Sequence, residues 1–330
     1  MKKSIYVFSN GTIKRDENTI SIVNDIDKKF IPIENTSEIY MFGEVTFNTK
    51  LLNYLSEKGI IIHYFNYYGY YSGTIYPRQH LSSGAVILNQ VRSYLDLTKR
   101  LEIAKLIEHG SAVNIITNLK YYDNRGRDLI EEIEKIGKLN DAFDEQGTIN
   151  SLMLIEANMR EIYYSTFDKI ILDKDFKFER RTKRPPQNNV NSLISFLNSM
   201  LYTTVLSEIY KTHMDPRIGY LHETNFRRFT LNLDIAEIFK PIIGDRIIFK
   251  LLNEKIINTS NFKNIGNIVS INESGKKKII EELDNKLSTT ISYPGIAHKI
   301  SYKRLIRLEI YKLEKHVLGD TVYKPYKSNW

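Results

Sequence analysis

The first 77 residues alternate between apolar and polar positions over short runs, a pattern typical of half-buried β-strands. The clearest runs are Ser4–Phe8, Thr19–Val23 and Ile60–Phe65, and Asn10-Gly11 is a strong turn signal between the first two. One short amphipathic helix, Thr49–Lys58, interrupts the strands. This part of the chain is therefore predicted to be a small β domain with one helix.

From about Leu81 the apolar period changes to that of an α-helix, with few Pro or Gly inside the periodic spans. The first predicted helix ends at His109-Gly110, and the tail from Gly319 to Trp330 is expected to be irregular and mobile. The predicted helices are Ala85–Ile107, Ala112–Tyr122, Arg127–Lys138, Ile149–Lys169, Val190–Thr212, Leu231–Ile242, Asp245–Leu252, Ser270–Lys286 and Lys299–Val317.

These patterns predict an α+β protein with two domains. A small N-terminal β-strand domain covers residues 1–77, residues 78–84 form a linker, and an all-α C-terminal domain covers residues 85–330. A chain of 330 residues is long enough for two domains with their own cores.

The amino-acid composition excludes some kinds of functional site and favours some kinds of partner. The chain has no Cys, which excludes disulfides, thiolate nucleophiles and metal sites with Cys ligands, and it favours a reducing cytoplasm. The formal charge is +8. A positive field of this kind favours polyanionic partners such as nucleic acid, although solubility alone is an alternative explanation.

Glu156 is the first candidate for a functional residue. On the predicted helix Ile149–Lys169 it lies on the same stripe as Leu152 and Met159, so its carboxylate should face the interior. A buried carboxylate without a partner costs several kcal/mol or takes up a proton, so this one needs a cation. The cation is either a metal ion or an arginine such as Arg160.

Asp234, Glu237 and His222 supply further candidate ligands. Asp234 and Glu237 are three residues apart on one predicted helix, so their carboxylates are neighbours, and a divalent cation would relieve their repulsion. The alternative is the ordinary enrichment of acids at a helix N-terminus. His222 lies in the preceding loop. One imidazole with two or three carboxylates and no sulfur suits Mg²⁺ or Mn²⁺.

Basic residues flank these candidates and predict contacts with a nucleic-acid backbone, because guanidinium groups match phosphate oxygens. A charge run on a solvated face is the simpler explanation for each cluster alone. The predicted DNA-binding residues are Arg180, Arg181, Lys183, Arg184, Arg227 and Arg228.

Several segments together resemble a known family, the CRISPR-associated integrase-endonuclease of the adaptation module. They are Glu179–Gln187, Val190–Leu206, Asp215–Glu223 and Leu233–Pro241, and Tyr323–Tyr326 (YKPY) is similar to the C-terminal motif of that family. The resemblance spans nearly the whole chain. It implies a β-sandwich-like N-terminal domain that supports a homodimer and a helical C-terminal domain that holds a metal ion.

The resemblance also implies roles for individual residues. The metal ligands, which are also the catalytic residues, would be Glu156, His222 and Glu237, with Asp234 as a further ligand or as a residue that orients one. Many family members have Asp where this chain has Glu237, so the ligand type is kept but the side chain is one methylene longer.

The implied activity is metal-dependent cleavage and joining of DNA. A DNA 3′-hydroxyl attacks a phosphodiester so that a short fragment, the spacer, enters a CRISPR repeat array. A small ferredoxin-like partner nuclease would bridge two dimers. Two alternatives remain open: a metal-dependent repair nuclease acting on branched DNA, and a non-catalytic DNA-binding subunit in which Glu156 forms a structural ion pair.

Overall fold

A computed structural model of the chain describes residues 2–78, 81, 83–224 and 229–328. The chain divides into two compact units, Met1–Leu81 and Ser82–Trp330. The first is rich in β-strands and the second is mainly helical, which confirms the predicted α+β class at this level. Within the described part of the chain, no helix is both long enough and apolar enough to cross a membrane.

Within its described residues, the first unit contains two four-stranded sheets, one α-helix and a single 3-10 turn, Ile33–Asn35. Its elements in chain order are β1 (Lys3–Val7), β2 (Gly11–Asp16), β3 (Thr19–Val23), β4 (Lys28–Ile31), β5 (Thr36–Met41), β6 (Val45–Thr46), α1 (Thr49–Glu57), β7 (Ile61–Phe65) and β8 (Tyr71–Ile75). One sheet has the strand order β1-β5-β7-β8, in which β8 is antiparallel to β7 and the other pairs are parallel. The other has the order β4-β3-β2-β6, in which β2 and β6 run parallel and the other pairs antiparallel.

The two sheets share one hydrophobic core, which follows from the alternation along their strands. Ile39 and Ile62 come from the first sheet and Ile13 and Ile20 from the second, and Leu51 of α1 joins the same cluster. All five side chains are buried. A shift of one residue in any of these strands would turn its apolar side chains to the opposite face, so the core fixes the register.

The second unit contains ten α-helices and two hairpins within its described residues. They are α2 (Gly84–Leu95), α3 (Leu97–Asp123), α4 (Ile130–Ala142), α5 (Ile149–Ser165), α6 (Phe167–Ile170), α7 (Asn189–Ile209), α8 (Leu231–Phe239), α9 (Arg246–Asn253), β9 (Phe262–Ile265), β10 (Ile268–Ile271), α10 (Glu273–Ser288), β11 (Thr290–Tyr293), β12 (Ile296–Ser301) and α11 (Tyr302–Leu318). Helix α8 packs against α3 and α7, and α3 also packs against α4 and α5. A π-helical segment, Lys240–Asp245, joins α8 to α9.

The two hairpins show that the prediction of an all-α C-terminal domain is wrong. Strand β9 pairs with β10 around Gly266, and β11 pairs with β12 around Gly295. Both glycines have positive φ, +58° and +78°, which tight turns require and which glycine adopts without strain. The predicted helices Ser270–Lys286 and Lys299–Val317 included strand residues because a short apolar run fits either period.

The boundary between the first two helices of this unit also differs from the prediction. Helices α2 and α3 meet at Asp96, whose side chain accepts hydrogen bonds from the backbone N–H groups of Thr98 and Lys99, both at 3.1 Å. Helix α3 then continues through Gly110, which was expected to end a helix. A Cβ added at Gly110 would lie 2.6 Å from the Cβ of Pro325, so glycine here permits close packing.

The C-terminal tail is irregular, as predicted, but the expectation that it is mobile is wrong for its described residues. Tyr323 is fully buried. Asn114 of α3 holds the tail by donating to the carbonyl of Tyr326 at 3.1 Å and accepting from the N–H of Ser328 at 2.7 Å. The same side chain donates to the carbonyl of Ile238 at 2.9 Å, so one buried amide connects the tail to α8.

Replacing Asn114 with alanine should lower the free energy of unfolding by about 2–4 kcal/mol, because buried main-chain groups of the tail lose their partner. Chemical denaturation followed by circular dichroism measures the change. The matched control is Asn89→Ala, which removes an exposed amide bonded to the carbonyl of Ala85 and should change stability by less than about 0.5 kcal/mol. Equal effects of the two substitutions would show that Asn114 does not hold the tail.

Candidate metal centre

Glu156 lies on α5 and is paired with an arginine one turn later. Thr148 fixes the start of this helix by accepting a hydrogen bond from the backbone N–H of Ser151 at 3.1 Å. From that start, Glu156 and Arg160 lie side by side, and Arg160 Nε donates to Glu156 Oε1 at 3.2 Å. The side chain of Glu156 is 22% exposed and that of Arg160 10%. The arginine partner considered from the sequence is therefore present.

Glu237 on α8 is almost completely buried between two cations. One carboxylate oxygen accepts from Arg160 Nη2, and the other accepts from Lys240 Nζ at the start of the π-helical segment. Burial alone would raise the pKa of Glu237, but Lys240 and Arg160, and then His222, lower it to about 2. Glu237 is therefore ionised, and Arg160 connects it to Glu156.

Asp234 is fully buried one turn before Glu237 and organises the loop in front of α8. Its carboxylate accepts from the backbone N–H groups of Tyr220 at 2.5 Å, Leu221 at 3.0 Å and His222 at 3.0 Å. At Gly219 an added Cβ would lie 2.8 Å from Asp234 Oδ2, so the loop can approach the carboxylate closely because glycine is present. Asp234 thus holds the loop against the helix.

His222 is oriented by the same carboxylate. Its Nδ1 lies 2.8 Å from Asp234 Oδ1, which leaves Nε2 as the ring nitrogen that could bind a metal ion. Burial favours the neutral ring, but the hydrogen bond and negative charge of Asp234 outweigh it and raise the pKa of His222 above 6.5. The carboxylate therefore fixes both the orientation and the protonation of the imidazole.

The structure connects the predicted ligands in two pairs rather than in one group. Arg160 connects Glu156 with Glu237, whereas His222 is connected to Asp234. Among the residues that the structure describes, no three His, Asp or Glu side chains are already arranged to hold a metal ion. The assignment of these residues as ligands stays a prediction.

Two charged residues of this region, Lys240 and Glu108, were missed from the sequence. Lys240 follows Glu237 by three residues, and this helical spacing of opposite charges was the available signal. Glu108 of α3 is fully buried and lies within electrostatic range of Glu156 and Glu237. The available signal for Glu108 was an acidic residue on the apolar face of a long helix.

The predicted DNA-binding residues differ in their surroundings. Arg180, Lys183 and Arg184 are exposed. Partial desolvation, followed by the charges of Arg181 and Lys240, lowers the pKa of Lys183, whereas the charges of Glu156 and Glu237 act in the opposite direction.

Arg181 has a structural role, because its guanidinium donates to Asn191 Oδ1 at 2.8 Å and to Ser195 Oγ at 3.1 Å. These contacts join the segment before α7 to that helix. Arg227 and Arg228 lie outside the described residues, so DNA binding by them stays a prediction.

Comparison with known sequences identifies the family. The family model described as CRISPR associated protein Cas1 matches residues 5–285. A protein of Thermodesulfovibrio yellowstonii named CRISPR-associated endonuclease Cas1 2 is 51% identical over 330 residues, with 100% of both chains covered.

Comparison with solved structures agrees with this assignment. A Cas1 protein from Thermotoga maritima superposes with a TM-score of 0.88 at 45% identity, covering 98% of this chain and 99% of that one. A casposase bound to an integration product has the same fold, with a TM-score of 0.87 at 17% identity and coverage of 100% and 95%. The chain therefore belongs to the CRISPR-associated Cas1 family of endonucleases, as its motifs predicted.

Proposed function

We propose that this protein is a metal-dependent DNA integrase and endonuclease of CRISPR adaptation, which inserts short DNA fragments into the repeat array. The observation that carries the proposal is the pair of carboxylates, Glu156 and Glu237, held together by Arg160 beside a histidine oriented through Nδ1. This arrangement of side chains occurs in a chain that matches Cas1 relatives over its full length.

Glu156, Glu237 and His222 would hold the divalent ion, either Mg²⁺ or Mn²⁺. Two carboxylates and one imidazole suit these ions, and Asp234 already fixes His222 so that Nε2 is the nitrogen left to bind. Arg160 and Lys240 pair with these carboxylates in the metal-free protein, and this attraction for positive charge supports the proposed site. Asp234 is satisfied by three backbone N–H groups, so it serves to orient His222 rather than to bind the ion.

When bound, such an ion polarises a phosphodiester and activates the attacking hydroxyl. The protein supplies the positions of the reacting groups and the cations around them. Lys240 carries positive charge next to Glu237, and Arg180, Lys183 and Arg184 extend positive charge along the exposed segment before α7. These groups would bind the phosphates of the spacer and of the repeat DNA.

The proposed assembly follows the family resemblance. The β-rich first unit would mediate a homodimer, and a small ferredoxin-like partner nuclease would bridge two dimers on double-stranded DNA in the cytoplasm. The casposase of similar fold was solved with an integration product, which supports DNA as the substrate class.

The ion pair between Glu156 and Arg160 also supports one alternative, a DNA-binding subunit in which Glu156 has a purely structural role. In that case Glu156→Gln would leave strand joining unchanged, and calorimetry would show no heat of Mn²⁺ binding. A repair nuclease would cut branched DNA without joining a labelled 3′-hydroxyl fragment to a supercoiled acceptor.

Replacing Glu156, His222 or Glu237 with alanine should reduce Mn²⁺-dependent strand joining by at least about 100-fold, because each change removes a ligand. Joining of a labelled oligonucleotide to a supercoiled plasmid measures the loss. The control variant is Glu161→Ala, an exposed acid on the same helix as Glu156, which should retain activity. If all three variants join DNA like the parent protein, the ligand assignment is wrong.

Binding of Mn²⁺ should weaken as the pH falls below the pKa of His222, which lies above 6.5, because a proton on Nε2 competes with the ion. The affinity should fall by about tenfold per pH unit below that pKa and level off above it. Calorimetric titrations between about pH 5 and 8 measure this slope.

His213 provides a matched control for this pH dependence, since its Nδ1 also pairs with a carboxylate, that of Glu314, at 2.8 Å. The variant His213→Ala should keep the slope, whereas His222→Ala should bind Mn²⁺ weakly and lose it. A slope that survives in His222→Ala would assign the proton to another group.

A further inference from the structure

Glu108 is a buried acid near the proposed metal site. It lies on α3, is fully buried, and neither carboxylate oxygen has a hydrogen-bond partner among the residues that the structure describes. Burial, and then the charges of Glu156 and Glu237, raise the pKa of Glu108 well above its ordinary value. An unpaired buried carboxyl group is costly, so its presence here calls for an explanation.

Glu108 lies on the face of α3 that Arg160 contacts. Ser111 follows Glu108 by three residues on α3, so the two side chains lie on one face of the helix. Ser111 Oγ accepts a hydrogen bond from Arg160 Nη2 at 3.1 Å. The guanidinium of Arg160 therefore already touches the helical face that carries Glu108.

Arg160 is at the same time an obstacle to the proposed metal site. Its guanidinium binds Glu156 and Glu237, which are the two carboxylates that the ion would use. A divalent ion at these oxygens would repel the guanidinium, and arginine cannot lose its proton in a protein. Because Arg160 is only 9% exposed, its charge needs another buried acceptor when it leaves the two acids.

We propose that Glu108 is that acceptor: when a divalent ion binds Glu156 and Glu237, the Arg160 guanidinium turns from them to Glu108 and keeps its contact with Ser111. This inference rests on the proposed metal site. Glu108 is then a positioning residue, since it acts on the metal only through Arg160. It makes room for the ion without leaving a buried guanidinium unpaired.

A double-mutant cycle with Mn²⁺ as the probe tests this role. Glu108→Gln keeps the size of the side chain but cannot supply the negative charge that pairs with the displaced guanidinium, and Arg160→Met removes the cation. With Arg160 present, Glu108→Gln should weaken Mn²⁺ affinity about tenfold, because the displaced guanidinium has lost its acceptor. In the Arg160→Met background, the same substitution should change the affinity less than about twofold.

Two other roles for Glu108 predict different cycles. If Glu108 is itself a ligand, Glu108→Gln weakens binding equally in both backgrounds, and if it is an inert core residue, binding changes in neither. Either result overturns the proposal. Glu314→Gln is the matched control, since it removes a buried carboxylate paired with His213 and should leave Mn²⁺ affinity unchanged.

A structure of the parent protein with bound Mn²⁺ provides a measurement that needs no variant. The Arg160 guanidinium should then lie within about 3.2 Å of the Glu108 carboxylate. An arginine that remains on Glu156 and Glu237 beside the ion, or turns elsewhere, overturns the proposal even if Glu108→Gln fails to fold.

Mn²⁺ binding by the parent protein and by variants of the proposed ligands distinguishes failure of this inference from failure of the proposed function. If the parent binds no Mn²⁺, or if Glu156→Gln and Glu237→Gln bind it as the parent does, the metal site and the role of Glu108 fail together. If these two variants lose affinity but Glu108 and Arg160 show no coupling, the metal site stands and only the role of Glu108 fails.

Discussion

The interior of the helical unit depends on one guanidinium, that of Arg160, which holds the buried carboxylate of Glu237 and the half-buried carboxylate of Glu156 together. It binds Glu156 on its own helix and Glu237 on α8, so charge as well as packing joins the two helices. Removing one partner of such a buried pair leaves an uncompensated charge and costs about 3–5 kcal/mol. The acids can therefore remain close to each other in the protein without a metal ion because this arginine is present.

Helix α8 holds other chain segments in place at both of its ends. At its start, Asp234 accepts three backbone N–H groups and His222 Nδ1, so the conformation of the preceding loop follows from the position of the helix. At its end, the carbonyl of Ile238 is bonded to Asn114, which also holds the C-terminal tail. Residues distant in sequence thus meet on one short helix.

Periodicity was sufficient to predict the β-rich and helical regions because the alternation of buried positions reports directly on strands and helices. Periodicity was insufficient where a single residue decides the local geometry. Asp96 separates α2 from α3 by capping α3, and Gly266 permits the turn between β9 and β10. The helical pattern identifies Glu156 as an inward-facing acid, but it does not identify its partner. Arg160 supplies the positive charge that the carboxylate needs, and so would a metal ion.

Glu108 shows why the rest of the site was not predictable from the sequence. It belongs to a helix that contacts α5 and α8 only in the folded protein, so its proximity to the other acids is a property of tertiary packing. Glu156 and Glu237 need cations in place before any metal ion arrives, since the two carboxylates would otherwise repel each other or take up protons. Arg160 and Lys240 meet this need. Both side chains keep their positive charge when an ion arrives, because Lys240 pairs with Glu237 and the displaced Arg160 would pair with Glu108. The same two side chains thus serve the fold without metal and provide positive charge to the site with it.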